Sequence, residues 1–215
     1  MESVNFEDMR RAMVDSQLRT SGVNDAWVVA AMSSVPREDY VPAAHRTTAY
    51  MDRSILLDDG SILNPAVSTA MLLQAAEVRA DDVVLLVGKD NGYVADILKS
   101  RVQNITAVAS EKLSQAQTGG PFSLIIIDGA AEELPPVLLG LAAEGARMVT
   151  GVIEGAVTRL AKGYVHKGKV ALKSFADSEI AAIPGFARKP VFVFKQKTAY
   201  EIASGDWSSD VCSSD

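Results

Sequence analysis

Residues 84–94 read VLLVGKDNGYV, and this stretch decides the fold that the sequence predicts. Its apolar run has the composition of a buried strand, and a polar turn separates that strand from a helix beginning after Gly92. Such a unit commonly binds a nucleotide-type cofactor, because the helix N-terminus offers unpaired N–H groups and glycines permit positive φ angles and close backbone approach. Only Gly88 and Gly92 stand where such loops commonly have three glycines. We call residues 88–92 the cofactor loop.

Strands and helices alternate after this loop. The predicted strands are VVLLVG, NITAVAS, FSLIIIDGA, ARMVTGVIEG, the region TRLAKGYVHKGKVALKSF, and KPVFVF, and the predicted helices are GYVADILKS and PPVLLGLAAEG. Continuous Val, Ile and Leu strands that alternate with helices indicate an α/β fold with a mainly parallel sheet covered on both faces. The Lys-Gly pairs near the end predict antiparallel pairing there.

The chain before this α/β region has a helical pattern. Apolar residues at helical spacing predict helices over residues 6–22 and 24–35, with Asn24 as the N-cap of the second. A third helix is expected from Pro65, after a long connector rich in proline and aspartate. Arg19 and Arg37 are expected to anchor these helices to the sheet. The predicted division is 1–80 for the helices and connector, and 81–194 for the α/β core.

Residues 195–215, KQKTAYEIASGDWSSDVCSSD, break both patterns. Their serine and aspartate clusters have no apolar period, and the two halves resemble in-frame translations of two sequencing-library adapters. We therefore expect the natural chain to stop near Phe194 and the remainder to be a disordered artefact; a natural acidic tail is the alternative. Cys212 is the only cysteine and lies in this tail, so the natural part of the chain has none. We therefore expect no disulfide, no thiolate catalysis and no cysteine metal site.

The composition narrows the classes of function. The 215 residues are 48% hydrophobic and 22% charged, which is typical of one globular domain with a full core. The net charge of −6 gives no basic face for nucleic acid, and the longest apolar runs are too short to cross a bilayer. We expect a cytoplasmic monomer with neither nucleic-acid nor membrane partners.

Two carboxylates complete a candidate cofactor site. Glu111 follows the second predicted strand, about 20 residues beyond the loop, where an acid accepts hydrogen bonds from both ribose hydroxyls. Asp128 ends the strand LIIID at the edge that faces the crevice, either bordering the site or capping the next segment. The expected cofactor-binding residues are Gly88, Asp90, Gly92, Tyr93, Glu111 and Asp128.

A resemblance makes this outline specific. The blocks MVDSQLRTSGVNDAWVVAAMSSVPREDYVP, AYMDRSILLDDGSILNP, VLLVGKDNGY, FSLIIIDGAA and EGARMV are similar, in this order, to blocks of the protein-L-isoaspartate O-methyltransferases. The resemblance implies the Rossmann-like fold of S-adenosylmethionine-dependent methyltransferases. It also implies methyl transfer from that cofactor to the abnormal carboxylate of isoaspartyl residues in damaged proteins and peptides.

The substrate loop of the family resembles G-x-T-I-S-x-P, and this chain has GSILNP. Ser61 stands at the position of the threonine, and Leu63 replaces the serine. The resemblance implies that the hydroxyl of that serine positions the acceptor carboxylate in the family. Leucine has no hydrogen-bond donor, so Ser61 and Asn64 are the expected catalytic residues. Asp58 and Asp59 are expected to form a turn.

The cofactor loop of the family resembles G-x-G-[ST]-G-Y. Asp90 replaces the central glycine, and its added charge should weaken cofactor binding unless Lys89 compensates.

A short connection separates Glu111 from the strand that begins at Phe122. A parallel crossover with its helix needs about a dozen residues or more, so the helix–strand pair that the family has here does not fit. We expect the third strand of the sheet to be missing, which leaves residues 104–109 as an edge.

Two other interpretations remain open from the sequence. The chain could be a non-catalytic descendant that keeps the scaffold as a binding or structural module. It could also be another Rossmann-type enzyme that uses a dinucleotide, although the substrate-side blocks disfavour this.

Overall fold

A computed structural model describes residues 4–188 of the chain. The α-helices are α1 (Phe6–Met13), α2 (Ala26–Ser34), α3 (Ala66–Ala76), α4 (Tyr93–Lys99) and α5 (Pro136–Leu141). The strands are β1 (Ile55–Leu56), β2 (Ile62–Leu63), β3 (Val83–Val87), β4 (Asn104–Val108), β5 (Phe122–Ala131), β6 (Ala142–Glu154), β7 (Val157–His166) and β8 (Lys169–Asp177). A π-helical turn, Val14–Leu18, extends α1, and short 3-10 helices span Arg37–Tyr40, Ala43–Thr48 and Ser110–Thr118.

The main sheet has the strand order β4-β3-β5-β6-β7-β8. The first four strands in this order are parallel, and β7 and β8 add as antiparallel hairpins. Lys167 and Gly168 form the β7–β8 turn, and both have positive φ angles. The predicted α/β class, the mainly parallel sheet and the antiparallel end are confirmed.

The expected gap in the sheet is confirmed as well. The chain passes from β4 through one 3-10 helix, Ser110–Thr118, to β5 on the far side of β3. This leaves β4 as the edge strand, as the short connection predicted. Among residues 4–188, no helix is both long enough and apolar enough to span a bilayer.

Side-chain alternation along β3 divides the core into two layers. Val84 and Leu86 pack into a cluster shared with the amino-terminal helices and α3, whereas Leu85 and Val87 pack on the opposite face with Leu138 of α5. The sheet is therefore covered on both faces. The amino-terminal helices share one continuous core with the sheet.

Three details differ from the sequence-based expectations. Asp25, rather than Asn24, caps α2, because its carboxylate accepts from the amides of Trp27 and Val28. Arg19 is exposed and pairs with Asp15 on its own helix, so it does not anchor the helices. Helix α5 ends at Leu141, and the residues predicted to continue it begin β6. The predicted strand KPVFVF and the 195–215 tail lie outside the described residues.

The segment after β8 closes over the carboxyl ends of β5 and β6. Ala130 donates its amide to the carbonyl of Ala181 at 2.7 Å, and Ile183 donates back to Ala130 at 2.9 Å. A Cβ at Gly151 would lie 2.7 Å from Cγ2 of Ile180 and 2.9 Å from Cα of Ala130. Glycine is therefore needed at residue 151 for space.

Gly151→Ala is expected to lower the free energy of unfolding by about 1–3 kcal/mol, because backbone and a buried isoleucine must move. Gly140→Ala is the matched control: residue 140 is exposed in α5 and has open space around it, so alanine should stabilise by about 0.5–1 kcal/mol. Urea unfolding measures both values. Equal stability of the two variants would contradict the close packing at residue 151.

Candidate active site

The cofactor loop forms a tight turn at the carboxyl end of β3. The amide of Gly88 continues the sheet ladder to the carbonyl of Val108 at 2.8 Å, and the amide of Gly92 donates to the carbonyl of Lys89 at 3.2 Å. A Cβ at Gly92 would lie 2.9 Å from Cβ of Lys89. Neither glycine has a positive φ angle, so that part of the expectation is wrong. Gly92 is required because the turn leaves no room for a side chain.

The cofactor loop is tied to residues 57–64, which we call the substrate loop. Nζ of Lys89 lies 2.7 Å from Oδ2 of Asp59. Ser61 donates both its amide and its hydroxyl to the same carboxylate, at 3.1 and 2.6 Å. Hydrogen bonds from Lys89 and Ser61 hold the pKa of Asp59 well below its usual range. Lys89 is thus paired with the substrate loop and is not the compensating partner for Asp90.

The turn role expected for the two aspartates is confirmed at Asp59. The amide of Gly60 donates to the carbonyl of Leu57 at 2.9 Å, and Gly60 has a φ of 81°. This turn joins β1 to β2 and places Ser61 at the rim, facing Asp59.

Asn64 lies at the centre of the carboxyl edge and is buried. Its Nδ2 donates to Oδ1 of Asp128 at 2.9 Å, and its Oδ1 accepts from the amide of Ala181 at 2.8 Å. One side chain therefore connects the substrate loop to β5 and to the segment that closes over it. Asp128 borders the site as expected, and it does not act as a helix cap.

Burial governs the charge state of Asp128. Desolvation raises the pKa of its carboxyl above the usual value, while the hydrogen bond from Asn64 and the positive charge of Arg37 act in the opposite direction. Cβ of Asp128 also lies 3.4 Å from the position that a Cβ on Gly88 would occupy. Asp128 therefore lies beside Gly88, the first residue of the cofactor loop.

Arg37 occupies the layer beneath these residues. It donates from Nε to the carbonyl of Ala49 at 2.8 Å and from Nη2 to the carbonyl of Asn64 at 2.6 Å. Its guanidinium carbon lies 5.1 Å from the centre of the Tyr93 ring. The sequence predicted that Arg37 anchors the helices to the sheet domain. Its hydrogen bonds go to the connector, and only its contact with Tyr93 of α4 reaches that domain.

The other predicted site residues have different surroundings. Tyr93 is buried, with its ring edge-on to that of Tyr40 at 5.4 Å, so its side chain is part of the core. Asp90 and Glu111 are exposed, and Glu111 accepts from the hydroxyl of Ser110 at 3.2 Å. Asp52 accepts from the amide of Val67 at 3.0 Å and so fastens the connector to the first turn of α3.

The residues present fit an adenosyl cofactor in two respects and disfavour it in one. Glu111 presents an exposed carboxylate in the 3-10 helix that follows β4, the strand adjacent to β3, and this position suits ribose hydroxyls. The turn held by Gly92 keeps the backbone of residues 89–91 at the surface. Asp90 adds a negative charge to that surface, which disfavours an anionic ligand group.

Comparisons with known proteins identify the family of the chain. The family described as Protein-L-isoaspartate(D-aspartate) O-methyltransferase (PCMT) matches residues 9–118. The protein-L-isoaspartate O-methyltransferase of Koribacter versatilis is 30% identical over 168 residues, which cover 66% of this chain and 76% of the relative. The enzyme of that name from Methanoculleus marisnigri is 27% identical over 195 residues, which cover 79% of this chain and 89% of the relative.

Two solved structures share the fold. A protein-L-isoaspartate O-methyltransferase superposes with a TM-score of 0.67 at 16% identity, over 82% of this chain and 66% of its own. The second structure is a Plasmodium falciparum protein described as a putative protein-L-isoaspartate O-methyltransferase in complex with S-adenosyl-L-homocysteine. It superposes with a TM-score of 0.64 at 16% identity, over 84% of this chain and 99% of its own. These likenesses confirm the expected Rossmann-like architecture.

The pH dependence of stability tests the desolvation of the Asp128 carboxyl, whose residue is half-buried. Because its pKa is raised, the folded state holds the proton more tightly, and stability falls as the pH rises from about 4, the pKa of an unfolded aspartate, through the folded pKa. Asp128→Asn cannot titrate. The free energy of unfolding of Asp128→Asn, compared with that of the unmodified protein, should therefore increase as the pH rises above about 4.

Asp59→Asn serves as the control of opposite sign. The pKa of Asp59 is lowered, so its stabilisation is present above the unfolded pKa and is lost as the pH falls through the folded pKa. Removal of this carboxylate should cost stability at neutral pH and less in acid, and its exposure keeps the effect small. Urea unfolding at several pH values measures both variants. Parallel profiles for Asp128→Asn and the unmodified protein would contradict the desolvation of the Asp128 carboxyl.

Proposed function

This chain belongs to the protein-L-isoaspartate(D-aspartate) O-methyltransferase family, and from that membership we propose that it methylates the carboxylate of isoaspartyl residues in damaged proteins, using S-adenosylmethionine. The observation that carries the proposal is the contact between the two loops. The ion pair between Lys89 and Asp59 and the bond from Asn64 to Asp128 bring donor and acceptor sides together at one edge of the sheet.

The chemistry requires little of the side chains. The cofactor supplies an electrophilic methyl group on a sulfonium. An isoaspartyl carboxylate is ionised at neutral pH, with a reference pKa near 4, so no general base is needed. Placement of the attacking oxygen is the main contribution, and such positioning is worth about 7–11 kcal/mol in well-oriented systems. Small displacements of either loop are therefore costly.

We assign the residue roles on this basis. The cofactor is held at Gly88, Asp90, Gly92 and Tyr93 by the backbone and at Glu111 and Asp128 by their carboxylates, and the acceptor is placed by Ser61 and Asn64. The buried amide of Asn64 is fully engaged by Asp128 and Ala181, so it acts by holding the loop in position. The hydroxyl of Ser61, at the rim, is the group available to a substrate.

A non-catalytic binding module is the second candidate, and one observation favours it. Leu63 is buried against Ile55, its cross-strand partner, so the position where the family has a hydroxyl belongs to the core here. The same scaffold would then bind the cofactor or the damaged peptide without turnover.

We further propose that the protein acts as a monomer in the cytoplasm, without nucleic-acid or membrane partners. The net charge of −6 supports the absence of a nucleic-acid role, since phosphate binding needs a basic surface.

Calorimetric titration of S-adenosylhomocysteine tests the proposal most simply. Saturable heat and an increase in the melting temperature are expected, because a ligand that binds only the folded state stabilises it. If neither the heat of binding nor the increase in melting temperature is observed, the enzyme assignment is wrong.

Asp90→Gly is expected to tighten the binding of S-adenosylhomocysteine. The substitution removes a charge close to where the ligand's own carboxylate would lie, and two charges about 4 Å apart in water interact by about 1 kcal/mol, or roughly fivefold in affinity. The matched control is Asp81→Gly, which removes an exposed carboxylate before the opposite end of β3. Equal changes in the two titrations would reject the position assigned to Asp90.

Leu63→Ser is expected to raise the rate of methyl-ester formation on an isoaspartyl peptide while lowering the free energy of unfolding by about 2–4 kcal/mol. Leu63 is only 5% exposed, whereas Ile62 beside it is 41% exposed. Ile62→Ser is therefore the control: it adds the same hydroxyl on the outer face, with a stability change within about 0.5 kcal/mol and no gain in rate. An unchanged rate for folded Leu63→Ser would reject the role given to this position.

A further inference from the structure

Arg37 is fully buried, with no exposed surface, and no other charged side chain in the described part of the chain is so deeply enclosed. A charge in such a place needs partners that replace its lost hydration. Burial lowers the pKa of Arg37, and the negative charges of Asp128 and Asp52 act against this decrease. The cost of enclosing this guanidinium raises the question of what it does there.

The contacts of Arg37 join three separate parts of the chain. Nε binds the carbonyl of Ala49, in the connector after α2. Nη2 binds the carbonyl of Asn64, at the end of the substrate loop. The plane of the guanidinium lies over the ring of Tyr93, the first residue of α4 and the residue that follows the cofactor loop. A planar group with several donors suits these simultaneous contacts, whereas an ammonium does not.

Two buried polar atoms at this junction, Nη1 of Arg37 and the hydroxyl oxygen of Tyr93, make no hydrogen bond of ordinary geometry. The guanidinium is nevertheless close enough to act against the burial that raises the pKa of Tyr93. Buried polar groups are seldom left unpaired, because each forfeits its hydration without a replacement. The junction therefore keeps unused bonding capacity, and a small movement of α4 relative to the substrate loop would change the contacts of Arg37.

We infer that Arg37 is a positioning residue that couples the substrate loop to the cofactor loop. A shift of Tyr93 when the cofactor loop takes up its ligand is transmitted through the guanidinium to the carbonyl of Asn64. The acceptor side is thereby ordered only when the donor side is filled. The coupling is reciprocal, as any equilibrium coupling between two sites must be. Its use in methyl transfer rests on the proposed function, whereas the mechanical link does not.

Amide hydrogen exchange of Arg37→Lys, without ligand, tests the mechanical link. Lysine keeps the charge but cannot bind both carbonyls and cover the ring. Exchange at residues 57–64 and at residues 88–93 should quicken together, by about tenfold, while the central strands β3 and β5 keep their protection. Unchanged exchange at either loop would overturn the inference.

Arg10→Lys is the matched control. Arg10 also lies over a tyrosine, with its guanidinium carbon 5.9 Å from the ring centre of Tyr50, and it donates to the Tyr50 hydroxyl at 2.8 Å and to Glu38 at 2.9 Å. It contacts neither loop through these bonds. Arg10→Lys should leave exchange at both loops unchanged, and an effect equal to that of Arg37→Lys would show general loosening instead.

The second measurement adds S-adenosylhomocysteine. In the unmodified protein the ligand should protect both loops, and in Arg37→Lys protection should remain confined to residues 88–93. Equal protection of the substrate loop in both proteins would overturn the coupling. If the ligand protects neither loop of the unmodified protein, the proposed function fails, and the ligand-free comparison still decides the role of Arg37.

Tyr93→Leu approaches the same link from the cofactor side, in case Arg37→Lys does not fold. It keeps an apolar side chain but removes the ring beneath the guanidinium. Faster exchange at residues 57–64 is the expected result. Unchanged exchange there, in a folded variant, would contradict transmission through Arg37.

Discussion

The buried side chain of Asn64 is the interaction on which the carboxyl edge depends. Its side-chain amide donates to Asp128 of β5 and accepts from the backbone amide of Ala181 in the closing segment. The backbone carbonyl of Asn64 accepts from Arg37. Each of these partners comes from a different part of the chain. An amide that both donates and accepts is suited to this position, since a carboxylate or an aliphatic side chain would leave at least one buried partner unpaired.

This arrangement explains how the chain tolerates its shortened sheet. The missing strand lies beyond β4, whereas the loops that converge on Asn64 lie around β3 and β5. Loss of the outer strand therefore removes part of the wall on the Glu111 side and leaves the centre intact. The two substitutions that bear most on activity, at Leu63 and Asp90, lie in the two loops themselves.

Much of the fold was predictable because its signals are local. The apolar runs of β3 and β5, the Lys167–Gly168 turn and the short connection before Phe122 each determine structure within a few residues of themselves. The site was less predictable, because its contacts span long distances in sequence. The Lys89–Asp59 pair and the place of Arg37 beneath Tyr93 arise only when separate segments pack. Local choices between polar residues were also hard to predict. Asn24 and Asp25 are both able to cap α2, and Arg19 pairs with Asp15 on its own helix instead of anchoring it.

We propose that the substrate loop and the cofactor loop form one site for methyl transfer to an isoaspartyl carboxylate. The most direct measurement is transfer of labelled methyl from S-adenosylmethionine to a peptide containing isoaspartate, compared with the same peptide containing ordinary aspartate. A base-labile methyl ester is expected on the isoaspartyl peptide alone. Equal labelling of both peptides, or labelling of neither by a protein that binds the cofactor, would contradict it.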